Sequence, residues 1–466
     1  MTVIKPKIGI EIHGYLTTKE KLFCRCSADY KNAKQNTNIC PVCTGQPGSK
    51  PMAPNIEALK KCIAIALMLD CKINSKVVWQ RKHYDWPDLP KGYQDTISGA
   101  YSVPVAEIGK FNDVIIRECH LEEDPAKWDP ETGKVDYNRS GIPLIEIVTE
   151  PDFTSSKQAR EWLNNLLVML SYIKAVDKDA GIKADINVSV RSGEGQSAKQ
   201  GERVEIKNLN SMYAIEKAID YEILRQSSML EKNEKVIRET RAFSEKERTT
   251  TSMRTKELAE DYRFIPDPDL PIIEISPELV KKIKESLPET PNAKVQRFVR
   301  DYGIDEAAAK VLTRNLQLAE FFDITVKKTN PKLASSWVTV ELLRILNWNK
   351  KSLDEVDIKP EHFIELLNAI DKNEVTELAA KQILNDFIPK SFSPSTKLKK
   401  SGVIDSKKEI EKVCLQVIKK FPQAIRDYKA GQEKSLFFLM GEVMRATQKR
   451  ADANLTKKIL SDLLKK

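Results

Sequence analysis

The sequence predicts an α+β protein: a mixed sheet with helical covers and a zinc-binding insertion comes first, and two all-helical regions follow. Three observations predict it. Up to about residue 290, short segments alternate apolar and polar residues at period two, and the longer segments between them repeat at helical spacing. Four cysteines crowd between residues 24 and 43. After "LPETP" the pattern is almost wholly helical, and the end of the chain is rich in lysine. A length of 466 residues allows roughly three domains. Composition places them at 1–290, 291–395 and 396–466, the second boundary falling in "FIPKSFSPSTKLKKSG", 387–402, where proline, serine and lysine show no periodicity.

The first strand is "IGIEIHGYL". Gly9, Glu11, His13 and Tyr15 share one face, and Ile8, Ile10 and Ile12 the other. The cysteine segment follows, with C-x-C at Cys24 and Cys26, thirteen residues, then C-x-x-C at Cys40 and Cys43. Two such pairs can converge tetrahedrally on a structural zinc. "NIEALKKCIAIALML" and "SSKQAREWLNNLLVMLSYI" carry apolar stripes and read as helices covering a sheet, the second capped by Ser155 or Ser156. Between them "RKHYDWPDLPKGYQ" sets Arg81, Lys82 and Lys91 among Tyr84, Trp86 and Tyr93, a proline-stiffened loop in which cations and rings can meet a nucleotide or an RNA end.

"HLEED" adds His120, Glu122, Glu123 and Asp124, with Glu122 and Glu123 facing opposite ways in a strand. "PLIEIVTEPD" puts Glu146 and Glu150 on one side. "INVSVR" alternates strictly, with Asp185 and Asn187 opposite Ile186 and Val188, and "VEIKN" sets Glu205 and Lys207 opposite Val204 and Ile206. Charged faces on several strands of one sheet are costly unless they line a solvent-filled or metal-filled cavity; the alternative is an ordinary wet sheet face. Oxygen-rich sets with one imidazole suit magnesium or manganese, ions able to clamp a triphosphate. No glycine-rich phosphate loop of either common pattern occurs.

From 391 to 466, eighteen Lys and Arg stand against eight Asp and Glu, while the rest of the chain is near neutral. A neutral body with a basic end fits contact with a polyanion, and Lys434, Arg445, Lys449 and Arg450 are the candidate nucleic-acid contacts. No apolar run approaches the ~18 residues of a membrane span, and "MTVIKPKIGI" has no signal-peptide pattern, so the reading is cytoplasmic with no membrane partner.

Taken together and in order, "IGIEIHGYL", "LFCRC" with "CPVCTGQPG", "PDLPKGYQ", "HLEED", "YNRSGIPLIEIVTEPD", "VEIKNLNS", "TRAF", "MRTKE" and "DYRFIPDPDLP" resemble the B subunits of aspartyl/glutamyl-tRNA(Asn/Gln) amidotransferases, the GatB/GatE family. The resemblance implies a cradle domain holding a kinase site, a helical domain and a small tail domain similar to the YqeY proteins. It implies ATP-dependent amidation of Glu-tRNA(Gln) or Asp-tRNA(Asn), with ATP, Mg2+ and Zn2+ as cofactors and with an amidase A subunit and a small C subunit as partners supplying ammonia. Glu11, His13, Glu123 and Glu146 match the metal-binding kinase positions, with the choice between Glu122 and Glu123 as the ligand left open, and Asp185 and Asn187 match a neighbouring motif. Arg81, Lys82, Lys91 and Lys207 are the expected nucleotide contacts. His83, Asp85, Trp86, Pro125 and Ala126 depart from the family's usual residues beside the site. The related E subunits carry a large insertion for which "FIPDPDLP" leaves no room. A zinc-containing tRNA-binding scaffold without catalysis is the rival from another class.

Overall fold

A computed structural model describes residues 4–177, 181–193, 199–255, 262–400, 407–447 and 450–465. The chain divides into two compact units, Met1–Thr290 and Pro291–Lys466. The first is built on a large mixed sheet. Its main strands are β1 (Ile4–Tyr15), β2 (Gln80–His83), β3 (Tyr93–Thr96), β4 (Ala106–Phe111), β5 (Val114–Glu123), β6 (Pro143–Thr149), β7 (Ile182–Ser192), β8 (Val204–Leu209), β9 (Glu239–Ser244), β10 (Thr249–Thr255) and β11 (Ile265–Pro266). They hydrogen-bond in the order β10-β9-β8-β7-β1-β6-β5-β3-β2-β11, with β4 paired on β5. Within that path β8 and β9 run parallel and the others antiparallel.

β1 lies at the centre because both its neighbours pair along it, β6 on one side and β7 on the other. Its isoleucines are what hold it there. Ile8, Ile10 and Ile12 are buried with Ile145 and Ile147 of β6 and Ile186 and Val188 of β7. Three helices cover that face: α1 (Ile56–Met68), α2 (Ser156–Ile173) and α3 (Met212–Glu231). They contribute Leu59, Ile63, Trp162, Leu163, Ile215 and Ile219 to the same core. Each helix starts at a side-chain cap, respectively Asn55, Ser155 and Ser211, which accepts hydrogen bonds from otherwise orphaned backbone N–H groups. α3 makes the long crossover that a parallel pair such as β8 and β9 requires.

The second unit is helical and holds two separate apolar cores. Phe298, Phe322, Phe363 and Phe387 belong to one; Ile410, Cys414, Leu439, Val443 and Leu460 belong to the other. Of the stretch aperiodic in sequence, residues 387–400 are tied to the first of these: Phe387 is buried, Phe392 and Leu398 pack beside it, and Ser395–Lys400 forms a short helix. Anchors five and six residues apart, at no helical or strand period, leave no signature in a periodicity reading. No helix among the described residues is long and apolar enough to cross a membrane.

Candidate functional site

Opposite the isoleucine core, the other face of the sheet gathers acids and imidazoles. Because directly opposed residues share a face, the register fixes the assembly. His13 of β1 pairs with Glu146 of β6, which pairs with His120 of β5; Glu122 follows two residues on, opposite Leu144. Across the other edge of β1, Glu11 pairs with Asp185 of β7, and Asn187 opposes Glu205 of β8. Two donor sets result. The nearest ligand atoms of His13, Glu122 and Glu146 lie within 4.8 Å of one another, and those of Glu11, Asp185 and Glu205 do the same. This face is no wet surface, since Glu122, Asp185, Asn187 and Glu205 are all buried.

Each donor is fixed by a neighbour. Asn187 Nδ2 donates to Glu11 Oε1 at 2.9 Å. Asp185 accepts from Lys207 Nζ at 3.2 Å and from the backbone N–H of Asn208 at 2.8 Å, where Asn208 takes the left-handed conformation beside a bulge in the β7–β8 ladder. His13 Nδ1 lies 3.4 Å from Glu122 Oε1 and 3.9 Å from Glu146 Oε2. Burial alone would lower the His13 pKa; Glu146 and Glu122 outweigh it and raise it to about 9. Burial alone would raise Glu146, but His120 and His13 hold it well below the usual carboxylate range. Burial, then Glu146, Glu205 and Asp185, push Glu11 up. Five carboxylates thus face His13, His120 and Lys207, and the massed oxygen donors with one ring nitrogen fit a hard divalent cation.

A cation at His13 must displace its proton. The site's Mn2+ affinity is therefore expected to rise roughly tenfold per pH unit from pH 7 to about 9, for one proton released, and then to level off. Calorimetric titrations at three pH values check this; a flat profile would mean that His13 stays outside the coordination sphere.

The structure brings together Glu11, His13, Glu146, Asp185, Asn187 and Lys207, but not Glu123. In β5 the parity shared with His120 puts Glu122 on the acid face and turns Glu123 the other way. There Glu123 bonds Lys91 Nζ and accepts from the backbone N–H of Asp95 at 3.0 Å. Glu150 also departs: β6 ends at Thr149 after an irregularity at Val148/Thr149, and Glu150 pairs with Arg117 at 3.0 Å in the open. Two of the expected nucleotide contacts are neutralised by the chain's own acids. Arg81 holds Asp267 at 2.6 Å and Asp269 at 2.8 Å, and Lys91 holds Asp95 at 2.6 Å as well as Glu123. Lys82 sits over the Tyr262 ring at 4.8 Å, close enough to the acid face to lower Glu146.

In the tail, Lys434 is exposed and lines a hollow with Lys420, Phe421, Arg426 and Phe438. Arg445 is exposed and bonded to Glu442, Arg450 is half-buried, and Lys449 lies outside the described residues. Glu205 and Glu122 are the members of the two donor sets that sequence reasoning left unchosen. Glu122 was recoverable from its spacing to His120, but Glu205 became a donor only through the β7–β8 register.

Cys24, Cys26, Cys40 and Cys43 converge, their sulfurs within 4.8 Å of one another, and all four are free thiols. Ser140 Oγ, donating to Cys43 O at 2.8 Å, ties the cysteine loop to the segment before β6. Cys24 beside it, and the buried Lys21 ammonium, hold the Cys43 thiol down at about 5. Four sulfurs converging at this distance fit a tetrahedral zinc. Cys40→Ser is expected to lose one zinc per chain and several degrees of melting temperature. Full occupancy in a variant lacking two of the four would contradict the assignment.

The GatB/GatE catalytic domain matches residues 6–281 of this chain, more than half its length. The chain belongs to the GatB/GatE family. A second match, described as the GatB domain, covers residues 320–464. Three relatives are named as the B subunit of aspartyl/glutamyl-tRNA(Asn/Gln) amidotransferase. That of Methanothermobacter thermautotrophicus is 45% identical over 98% of this chain and 99% of its own length. Those of Methanopyrus kandleri and Methanocaldococcus jannaschii are each 44% identical, over 98% and 100% of this chain and 98% and 99% of their own. The resemblance carried by the sequence motifs is therefore a family membership, and this GatB/GatE chain is an enzyme subunit of the ligase class.

Proposed function

We propose that the acid face is a kinase site at which this GatB/GatE chain activates the side-chain carboxylate of a misacylated tRNA, Glu-tRNA(Gln) or Asp-tRNA(Asn), for conversion to the amide. The observation that carries this reading is the pair of donor sets placed side by side by Glu11 and His13 of one strand. A carboxylate does not accept ammonia directly, because it has no adequate leaving group. Attack of a carboxylate oxygen on the γ-phosphorus of ATP expels ADP and gives an acyl phosphate; ammonia then attacks the acyl carbon and phosphate departs.

His13, Glu122 and Glu146 would hold one Mg2+ and Glu11, Asp185 and Glu205 a second; bound there, the ions neutralise charge on the transferring phosphoryl group. Asn187 and Lys207 orient Glu11 and Asp185, and Lys82 is the loop cation left to meet phosphate oxygens. Arg81 and Lys91 support the site by tying the aromatic loop to buried acids. The zinc loop is structural. The basic tail region, 396–466, with Lys434, Arg445, Lys449 and Arg450, binds tRNA phosphates, and the helical region 291–395 links it to the cradle. Ammonia comes from a partner A subunit with amidase activity, joined by a C subunit, in the cytoplasm.

ATP hydrolysis by the assembled complex, with and without mischarged tRNA, tests the reading. Hydrolysis that requires the mischarged tRNA supports it. Amidation that proceeds without ATP turnover would leave this chain a scaffold.

A further inference from the structure

His120 has no part in the reaction as described, yet its ring is buried at 1% exposure inside the site. An imidazole in such a place is costly unless its ring nitrogens are answered, and here Nε2 is hydrogen-bonded by a carboxylate while a second carboxylate stands beside Nδ1. Nε2 lies 2.9 Å from Glu146 Oε2. Nδ1 lies 3.1 Å from Glu118 Oε1, off the hydrogen-bonding line, and Glu118 Oε1 is itself held by Ser98 Oγ at 2.6 Å. Ser98, Glu118, His120 and Glu146 thus form one chain running from the β3–β4 connection into the site. The sheet register gives the chain its direction, because His120, Glu146 and His13 occupy a single row across β5, β6 and β1.

We propose that His120 is a positioning residue: its ring, braced by Glu118, fixes the Glu146 carboxylate in the orientation in which Glu146, Glu122 and His13 converge on one cation. The inference rests on the reading of that donor set as a metal site. A carboxylate in a strand turns freely about its terminal bond unless a donor fixes it. Residues that fix a ligand in this way typically matter about ten- to a hundredfold in metal affinity. The two nitrogens can be separated by substitution, since a Gln amide reaches the Nε2 position and an Asn amide only the Nδ1 position.

The test is Mn2+ binding to the full-length protein, followed by the spin resonance of free Mn2+, in the wild type and in His120→Gln, His120→Asn and His120→Leu, with melting temperatures taken alongside. Glu146→Gln identifies the relevant equivalent of Mn2+ as the one it loses. For that equivalent, His120→Leu and His120→Asn are expected to weaken binding about ten- to a hundredfold, while His120→Gln stays within about threefold of wild type. Leu binding as tightly as wild type, or Asn as tightly as Gln, would overturn the positioning role. If Leu fails to fold, the comparison of Gln with Asn decides. Unchanged Mn2+ binding in Glu146→Gln would instead overturn the metal-site reading beneath it, so the two failures are distinguishable.

Discussion

Glu11→Gln or His13→Ala, introduced into the assembled complex, is expected to lower tRNA-dependent ATP hydrolysis and amidation at least about a hundredfold, that is by several kcal/mol of transition-state stabilisation. Glutamine hydrolysis by the partner subunit should remain measurable. Each residue belongs to a different donor set on the same strand, so either change empties one set of a ligand without touching the isoleucine face that holds β1 in the core. A collapsed fold would lose both activities, whereas a lost metal ligand removes only the one located here. A variant amidating at near wild-type rate would return Glu11 and His13 to the status of polar residues on a sheet face.

The second large effect separates two adjacent glutamates. Glu122→Gln should lose amidation about as severely as His13→Ala, because Glu122 completes the set with His13 and Glu146. Glu123→Gln should act mainly on stability. It removes one of the two carboxylates around half-buried Lys91, and because Asp95 remains, the loss should be less than the about 3–5 kcal/mol of a fully orphaned buried charge. Amidation rate and thermal melting measured on both variants check this. The opposite pattern, with Glu123→Gln inactive and Glu122→Gln stable and active, would contradict the register argument.

That pair of residues also marks how far the sequence could be read. Alternation within one strand is a local property, so Ile8, Ile10 and Ile12 against Glu11 and His13, and Ile186 and Val188 against Asp185 and Asn187, were legible without any structure. Which parity of a second strand faces the same way depends on pairing register, a non-local property. It places Glu122 rather than Glu123 beside His13 and Glu146, and brings Glu205 beside Glu11 and Asp185. Glu150 was lost because an irregularity ended the strand one residue earlier than alternation assumes. The surroundings of the cations were hidden for another reason. Arg81 and Lys91 look available to a ligand in sequence, but Asp267, Asp269, Asp95 and Glu123 reach them from other segments. The cysteine cluster, by contrast, was readable because spacing alone limits what two close pairs can do.

The central claim is that a substrate carboxylate is phosphorylated at this face before ammonia arrives. It is tested most directly by following oxygen. With Glu or Asp on the tRNA labelled with 18O in its side-chain carboxylate, the wild-type complex should release inorganic phosphate carrying one labelled oxygen for each amide formed, and His13→Ala should release almost none. Amide formation with unlabelled phosphate would contradict the account.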